Sequence, residues 1–148
     1  MLKVRSVEEM RELGKRLAEH LRAGDILVLS GPLGAGKTAL TQGIGSHFGI
    51  SGITSPTFVI SRVHKGQIPL IHVDAYRLLT SPNSIFEFDD LDLDTARESA
   101  ITVIEWGGEV GARFGEDYLE IVIEFGESEN DRIIKLKSHG ERWSGFQL

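Results

Sequence analysis

Apolar positions near the N-terminus recur at the spacing of an amphipathic helix. The series consists of Met10, Leu13, Leu17 and Leu21. At its start, Ser6 and Glu9 fit the capping box Ser-x-x-Glu, in which side chains pair with the free backbone N–H groups of the first turn. We therefore expect a helix that begins after Ser6 and ends near Gly24.

An almost continuous apolar run follows at residues 25–30. This pattern is typical of a strand that is buried on both faces, as in a parallel sheet. Residues 31–38 are glycine-rich, and residues 39–48 return to a helix-compatible pattern, although Gly43 and Gly45 weaken the helix prediction. The first third of the chain thus predicts a helix, a strand, a glycine-rich loop and a second helix.

The rest of the pattern predicts further strands and two further helices. The strands cover residues 58–64, 68–74, 100–105, 118–125 and 132–137. A turn at residues 65–67 joins the first two, and the last two form a C-terminal antiparallel hairpin. One helix opens at Ser81 with Pro82 in its first turn, and a short one covers residues 109–114. We expect a single α/β domain over residues 1–148, with three layers and a mostly parallel central sheet.

The composition of the chain excludes some classes of function and disfavours others. The chain has 148 residues and no cysteine, which excludes disulfides, cysteine zinc sites and a thiol nucleophile. Its 16 basic and 22 acidic residues give a net charge of −6, so we expect any role with nucleic acid to be indirect. No apolar run approaches the roughly 20 residues of a membrane span, and the N-terminus lacks the pattern of a signal peptide. We expect a cytoplasmic protein with no membrane association.

Residues 31–38, G-P-L-G-A-G-K-T, match the phosphate-binding pattern G-x-x-x-x-G-K-[ST] at every fixed position. The required context is present, because an apolar strand precedes the loop and a helical pattern follows it. The glycines let successive N–H groups point at phosphate oxygens, and the helix that begins near Lys37 adds its positive end. Lys37 is expected to reach the β- and γ-phosphates, and the Thr38 hydroxyl to bind Mg²⁺. The expected fold is therefore P-loop NTPase-like.

Two other interpretations of this loop are weaker. A chance glycine-rich turn does not account for the flanking strand and helix. The dinucleotide pattern G-x-G-x-x-A fits residues 34–39, but that fold has an acidic residue about 20 positions further on. Residues 55–62 contain no acidic residue, and the pair Lys37 and Thr38 has no purpose in such a site. We favour the phosphate loop over the first interpretation and reject the second.

Two predicted strands end in a carboxylate. Asp74 closes the run at residues 69–74, and Glu105 closes the run at residues 101–105. Ligands of open α/β sheets bind beyond the carboxyl ends of strands, so both acids would meet Thr38 if these strands flank the one before the loop. Phosphate chemistry needs a magnesium anchor and a group that places the attacking water, and the pattern leaves open which acid binds the metal directly. The alternative is that each acid simply faces water, which the phosphate loop disfavours.

Four other residues near these strands have two interpretations each. His72 would share a strand face with Asp74, which suggests a His/Asp metal site, but a hydrogen-bonded structural histidine is favoured. Arg62 and Arg77 are candidates for a positive charge at the transition state or for solvated side chains. Trp106 is a candidate for stacking on a base or a partner, and core packing is the more frequent role of a lone tryptophan.

Four motifs in order resemble those of the bacterial TsaE (YjeE) family. They are the loop at residues 31–38, S-P-T-F at residues 55–58, H-V-D-A-Y-R at residues 72–77 and I-E-W at residues 104–106. The phosphate loop alone is common to many NTPases, whereas the other three at these separations are specific. The N-terminal helix and the C-terminal hairpin also fit the family in position and length.

The resemblance implies an ATPase required for making threonylcarbamoyladenosine beside the anticodon of tRNAs. Such a protein acts with TsaB and TsaD, which carry the carbamoyl transfer, and meets tRNA only indirectly. The residues implied to hold the phosphates are Leu33, Gly34, Ala35, Gly36, Lys37 and Thr38. Thr38 and Glu105 are implied to hold Mg²⁺, and Asp74 to order or activate the water.

Further positions follow from the same resemblance. Residues 55–58 correspond to a switch-like segment over the nucleotide, and Val7 beside Ser6, with Arg132, borders the adenine. Family members often have a proline after Glu-Trp, where this chain has glycines at residues 107–108. The resemblance therefore does not imply the shape of that loop or any contact made by Glu109.

Two other functions are alternatives to a slow ATP hydrolase. A stand-alone kinase of a hydroxyl acceptor needs an arginine-rich lid, and the chain has no arginine cluster after residue 80. A GTP-dependent switch or binding module needs the guanine signature Asn-Lys-x-Asp, which the chain lacks. Transfer of label from ATP to an acceptor, and the relative affinities for ATP and GTP, separate the three.

Overall fold

The computed structural model describes residues 1–32, 34–53, 61–74, 99–105 and 117–148, with only the backbone described for Ser61, Arg62 and Asp74. Its elements are β1 (Leu2–Val4), α1 (Val7–Ala18), β2 (Ile26–Ser30), α2 (Lys37–His47), β3 (Ser61–His64), β4 (Leu70–Asp74), β5 (Ile101–Glu105), β6 (Tyr118–Phe125), β7 (Arg132–His139) and a 3₁₀ helix (Glu141–Trp143). Neither of the two α-helices among these residues is long and apolar enough to cross a membrane.

The strands form one seven-stranded sheet in the order β1-β7-β6-β2-β5-β4-β3. The four central strands, β6, β2, β5 and β4, run parallel to one another. The outer pairings, β1 with β7, β7 with β6 and β3 with β4, are antiparallel. The prediction of a parallel centre with a C-terminal antiparallel hairpin is confirmed. The sequence analysis missed β1, which is three residues long.

Both faces of the central strands are buried. Leu27 and Leu29 of β2 join the core cluster with α1 and α2, and Val28, which points the other way, is also fully buried. This burial explains why the β2 segment is apolar at nearly every position. The helices predicted at Ser81 and at residues 109–114, which would supply the third layer, lie outside the described residues.

The two helices touch through glycines. A Cβ atom added at Gly43 of α2 would lie 2.0 Å from the carbonyl oxygen of Arg11, and one at Gly14 of α1 would lie 2.4 Å from that of Leu40. Real Cβ atoms do not approach backbone so closely, so both positions require glycine. The glycine that weakens the helix prediction at residue 43 is therefore a requirement of helix packing.

The start of α1 follows the capping prediction, and its end does not. The Ser6 hydroxyl accepts a hydrogen bond from the backbone N–H of Glu9 at 3.1 Å, and the Glu9 carboxylate accepts one from the N–H of Arg5. The helix ends at Ala18 rather than near Gly24. Gly24 instead lies just before β2 with φ of 95°, and its N–H bonds to Ala100 beside β5.

Hydrogen bonds connect the C-terminal segment to the residue that precedes β2. Arg142 donates two hydrogen bonds to the buried Asp25 carboxylate, at 3.0 and 2.9 Å, and one to the carbonyl of His20 at 2.8 Å. The neighbouring Trp143 is fully buried in the core. A bidentate arginine–carboxylate pair has a defined geometry, so it fixes where the end of the chain lies.

Candidate active site

The glycine-rich loop lies between β2 and α2, as the sequence predicts. Gly34 and Gly36 have φ of 82° and 115°, the left-handed region that favours glycine. Gly36 is the N-cap of α2 and supplies no side-chain acceptor to the first turn of that helix. The positive N-terminal end of α2, which has no side-chain cap, suits an anion. Leu33, the remaining predicted loop contact, lies outside the described residues.

Lys37 is folded back on the loop that precedes it. Its ammonium donates hydrogen bonds to the carbonyl oxygens of Gly31 at 2.7 Å and Pro32 at 3.1 Å. The residue is only 6% exposed, and its own carbonyl accepts the hydroxyl of Thr41 at 2.9 Å. Thr38, the next residue of α2, is half-buried. The buried ammonium therefore lies against the loop and is held by its carbonyl oxygens.

The two candidate acids end neighbouring strands. Asp74 of β4 and Glu105 of β5 are register partners, and Glu105 is also paired with Leu29 of β2, two residues before the loop. The expectation that both strands flank β2 is met for β5 and is wrong for β4, which lies beyond β5, because β6 is the other neighbour of β2. The Glu105 carboxylate is 5% exposed. Only the backbone of Asp74 is described.

His72 packs against Glu105. The imidazole is completely buried, and its Nε2 lies 3.2 Å from Oε1 of Glu105. Neither ring nitrogen makes a hydrogen bond of good geometry within the described residues, and neither does Oε1 of Glu105. Those residues also contain no group of three histidines and acids suited to a metal. Among the described residues, Glu105 is thus the polar neighbour of His72. The Asp74 side chain, on which the His/Asp metal hypothesis depends, lies outside the described part of the chain.

Arg132 connects the last hairpin to the glycine loop. Its Nε donates to the carbonyl oxygen of Ala35 at 3.1 Å, and Nη2 donates to that of Gly34 at 3.4 Å. The guanidinium also lies 4.8 Å from the centre of the Phe125 ring, a distance suited to a cation–π contact. These contacts join positions almost a hundred residues apart in the sequence, so only the fold brings them together.

A groove runs beside the loop between α1 and the last hairpin. It is lined by Ser6, Val7, Met10, Gly34, Ala35, Gly36, Ala39, Asn130 and Arg132. The fold thus brings Val7 and Arg132, predicted from the resemblance, to one surface. Met10 and Asn130 were not predicted from the sequence. The helical spacing of Met10 predicts only core packing, and Asn130 is an ordinary turn residue.

The turn that carries Arg132 is tied to the first strand. Asp131 lies 3.4 Å from the ammonium of Lys3 in β1. A hydrogen bond from the Ser128 side chain, together with Lys3, lowers the pKa of Asp131 below its ordinary value of 3.8. The carboxylate therefore stays charged near neutral pH, and the pair holds the hairpin turn against β1.

The other predicted site positions are not among the described side chains. The motif at residues 55–58, Arg77, Trp106 and the loop at residues 107–109 lie outside the described residues. Arg62 lies in β3, where only its backbone is described.

At the centre of the mixed sheet, the parallel strand β2 leads into a glycine-rich loop and then into α2. This arrangement defines a protein of the P-loop NTPase-like class. The model of the family "Threonylcarbamoyl adenosine biosynthesis protein TsaE" matches residues 4–134 of the chain. The chain belongs to the TsaE family, and the resemblance seen in the sequence is confirmed.

Relatives and a solved structure agree with this membership. The tRNA threonylcarbamoyladenosine biosynthesis protein TsaE of Streptomyces coelicolor is 47% identical over 142 residues, which cover 91% of this chain and 94% of that protein. The protein of the same name from Bacillus subtilis is 35% identical over 147 residues, covering 96% and 89%. The crystal structure of Bacillus subtilis YdiB superposes with a TM-score of 0.78 and 29% identity, covering 97% and 87%.

Proposed function

We propose that this chain binds ATP at residues 31–38 and hydrolyses it with Mg²⁺, as the ATPase of tRNA threonylcarbamoyladenosine synthesis. The observation that carries the proposal is the buried Lys37 ammonium, held on the carbonyls of Gly31 and Pro32 at the N-terminus of α2. An ammonium, left-handed glycines and a helix N-terminus together favour a polyphosphate. The groove beside the loop, with Val7 and Arg132 in its lining, is proposed to take the adenine.

The residues at the strand ends fit a magnesium ion. Mg²⁺ prefers carboxylate and hydroxyl oxygens, and the Glu105 carboxylate, which is 5% exposed, ends β5 beside the strand that leads into the loop. Thr38 and Glu105 would hold the ion. When bound, it neutralises charge on the β- and γ-phosphates.

Asp74 is proposed to orient the attacking water and to accept its proton. The water oxygen forms a bond to the γ-phosphorus, and the bond from that phosphorus to the bridging oxygen of the β-phosphate breaks. Asp74 is a candidate because it ends β4 in register with Glu105, at the carboxyl edge of the sheet. Lys37 would bind the γ-phosphate and stabilise its charge during this step.

Asp74→Ala and Glu105→Ala are each expected to lower ATP turnover at least about 100-fold, because each removes a carboxylate that acts on the reacting groups. Phosphate release with saturating ATP and Mg²⁺ measures the effect, and circular dichroism checks that both variants fold. Glu124→Ala is the matched control, because that carboxylate lies on the surface and pairs with Lys135. Full turnover in both acid variants would contradict this assignment.

We propose that the chain acts in the cytoplasm with TsaB and TsaD, and that it contacts tRNA only through them. Its net charge of −6 disfavours direct binding to tRNA. Within the described parts of the chain, Arg132 is the arginine that contacts the loop, and its guanidinium bonds to backbone carbonyls. We propose that a partner supplies a further positive charge for the transition state.

ATP turnover is accordingly expected to be low for the chain alone and to rise at least about 10-fold with TsaB and TsaD, because an arginine supplied by a partner stabilises the transferred phosphoryl group. Phosphate release is measured with and without the two proteins. Adding them to the Lys37→Ala variant controls for ATP hydrolysis by the partners themselves. Equal rates with and without TsaB and TsaD would refute the coupling.

A further inference from the structure

A buried imidazole lies behind the candidate magnesium ligand. His72 of β4 is 0% exposed, and its Nε2 lies 3.2 Å from Oε1 of Glu105, which is itself almost fully buried. His72 pairs in register with Val103, two residues before Glu105 on β5. The ring and the carboxylate are thus diagonal neighbours on one face of two parallel strands.

Core packing alone does not explain a histidine at this position. The residues on the same face beside it, Leu70, Ile101 and Val103, belong to the hydrophobic core. A buried polar group destabilises the fold unless it has a partner, so leucine would pack here without that penalty. The polar neighbour that the described residues provide is Glu105, and an Nε2–H group facing its oxygen would compensate for the burial.

We propose that His72 is a positioning residue for Glu105. The imidazole would donate its Nε2–H to Oε1, which lies within hydrogen-bond distance but outside hydrogen-bond geometry in this structure. This bond would restrain the carboxylate and leave Oε2 available to the metal. Groups that hydrogen-bond to metal ligands orient them, and their loss typically weakens metal binding 10- to 100-fold. This inference rests on the proposed function, because it assigns a supporting residue to the same magnesium site.

The test measures metal affinity separately from activity. Mn²⁺, used in place of Mg²⁺, is titrated into the protein with bound ADP, and free Mn²⁺ is followed by electron paramagnetic resonance. His72→Leu is expected to weaken Mn²⁺ binding about 10- to 100-fold, while ADP affinity in the presence of EDTA stays unchanged. His72→Gln keeps an N–H donor near the position of Nε2 and is expected to restore most of the Mn²⁺ affinity.

Thr102→Val is the matched control. Thr102 is also fully buried, its hydroxyl has no hydrogen bond among the described residues, and it precedes Val103 on β5, so it points to the other face of the sheet. This variant should bind Mn²⁺ as the wild type does. Unchanged Mn²⁺ affinity in His72→Leu, or equal weakening in His72→Leu and His72→Gln, would overturn the inference while leaving the proposed function intact. A wild-type protein that binds ADP but no Mn²⁺ would overturn both.

The wild-type protein provides a second measurement that does not depend on whether the variants fold. With ¹⁵N-labelled histidine, the imidazole spectrum should show His72 protonated on Nε2 and unprotonated on Nδ1. A ring with its proton on Nδ1 would overturn the inference, because a bare Nε2 would then repel the carboxylate oxygen.

Discussion

Replacing Lys37 with alanine is expected to lower ATP affinity about 10- to 100-fold and turnover at least about 100-fold. Hydrogen bonds to charged groups contribute about 1.5–3 kcal/mol, and about 1.4 kcal/mol corresponds to a tenfold change in affinity. The larger loss in turnover follows because the γ-phosphate carries more charge on its oxygens as the reaction proceeds. Calorimetric titration with ADP and ATP, together with phosphate release, measures both effects.

The alanine at position 37 should not disturb the helix, because alanine has the highest helix propensity. Lys15→Ala is the matched control, since that lysine is exposed on α1 and, among the described residues, pairs with Glu12 at 3.2 Å. It should bind nucleotide as the wild type does. Unchanged nucleotide affinity in Lys37→Ala would mean that the loop does not bind phosphate through this ammonium, and the proposed function would lose its main support.

Replacing Gly43 with alanine is expected to destabilise the fold by about 1–3 kcal/mol or more, the usual range for overpacking. The new methyl group would lie 2.0 Å from the backbone oxygen of Arg11, so α1 and α2 must move apart. Elsewhere on a helix the same change stabilises by about 1 kcal/mol, so the expected sign is opposite to that of helix propensity. Urea unfolding followed by circular dichroism measures the difference.

Ser46→Ala provides the comparison for Gly43→Ala. Ser46 is exposed on the same helix, and a surface substitution of this kind usually changes stability by less than about 0.5 kcal/mol. A Gly43→Ala protein as stable as the wild type would show that the helices can separate without loss, contrary to the close contact seen here.

The elements that the sequence predicted well are those specified by neighbouring residues. The apolar run of β2, the hairpin of β6 and β7, and the capping box of α1 each depend on side-chain alternation or on hydrogen bonds within a few positions. The predicted end of α1 was wrong because Leu21 continues the helical spacing. In the structure Leu21 lies beyond the helix, in a turn where its N–H donates to the carbonyl oxygen of Ala18, and this turn places its side chain in the core.

The first strand could not be predicted because its partner is distant. β1 has three residues, too few for a clear alternation, and it forms because Leu2 pairs with Ile134 at the other end of the chain. The contact of Arg132 with the loop is equally remote. A register between distant strands depends on the strand order of the whole sheet, which no local pattern contains.

The sequence by itself determined the phosphate loop, the two acids that end strands, and the family, because motif spacing and strand alternation follow from local backbone geometry. Only the tertiary structure decided that His72 lies against Glu105, that Arg132 bonds to the loop carbonyls, and that Gly43 admits the backbone of α1. These contacts join segments far apart in the chain. Their formation depends on which strands and helices become neighbours, and that order is a property of the packed core as a whole.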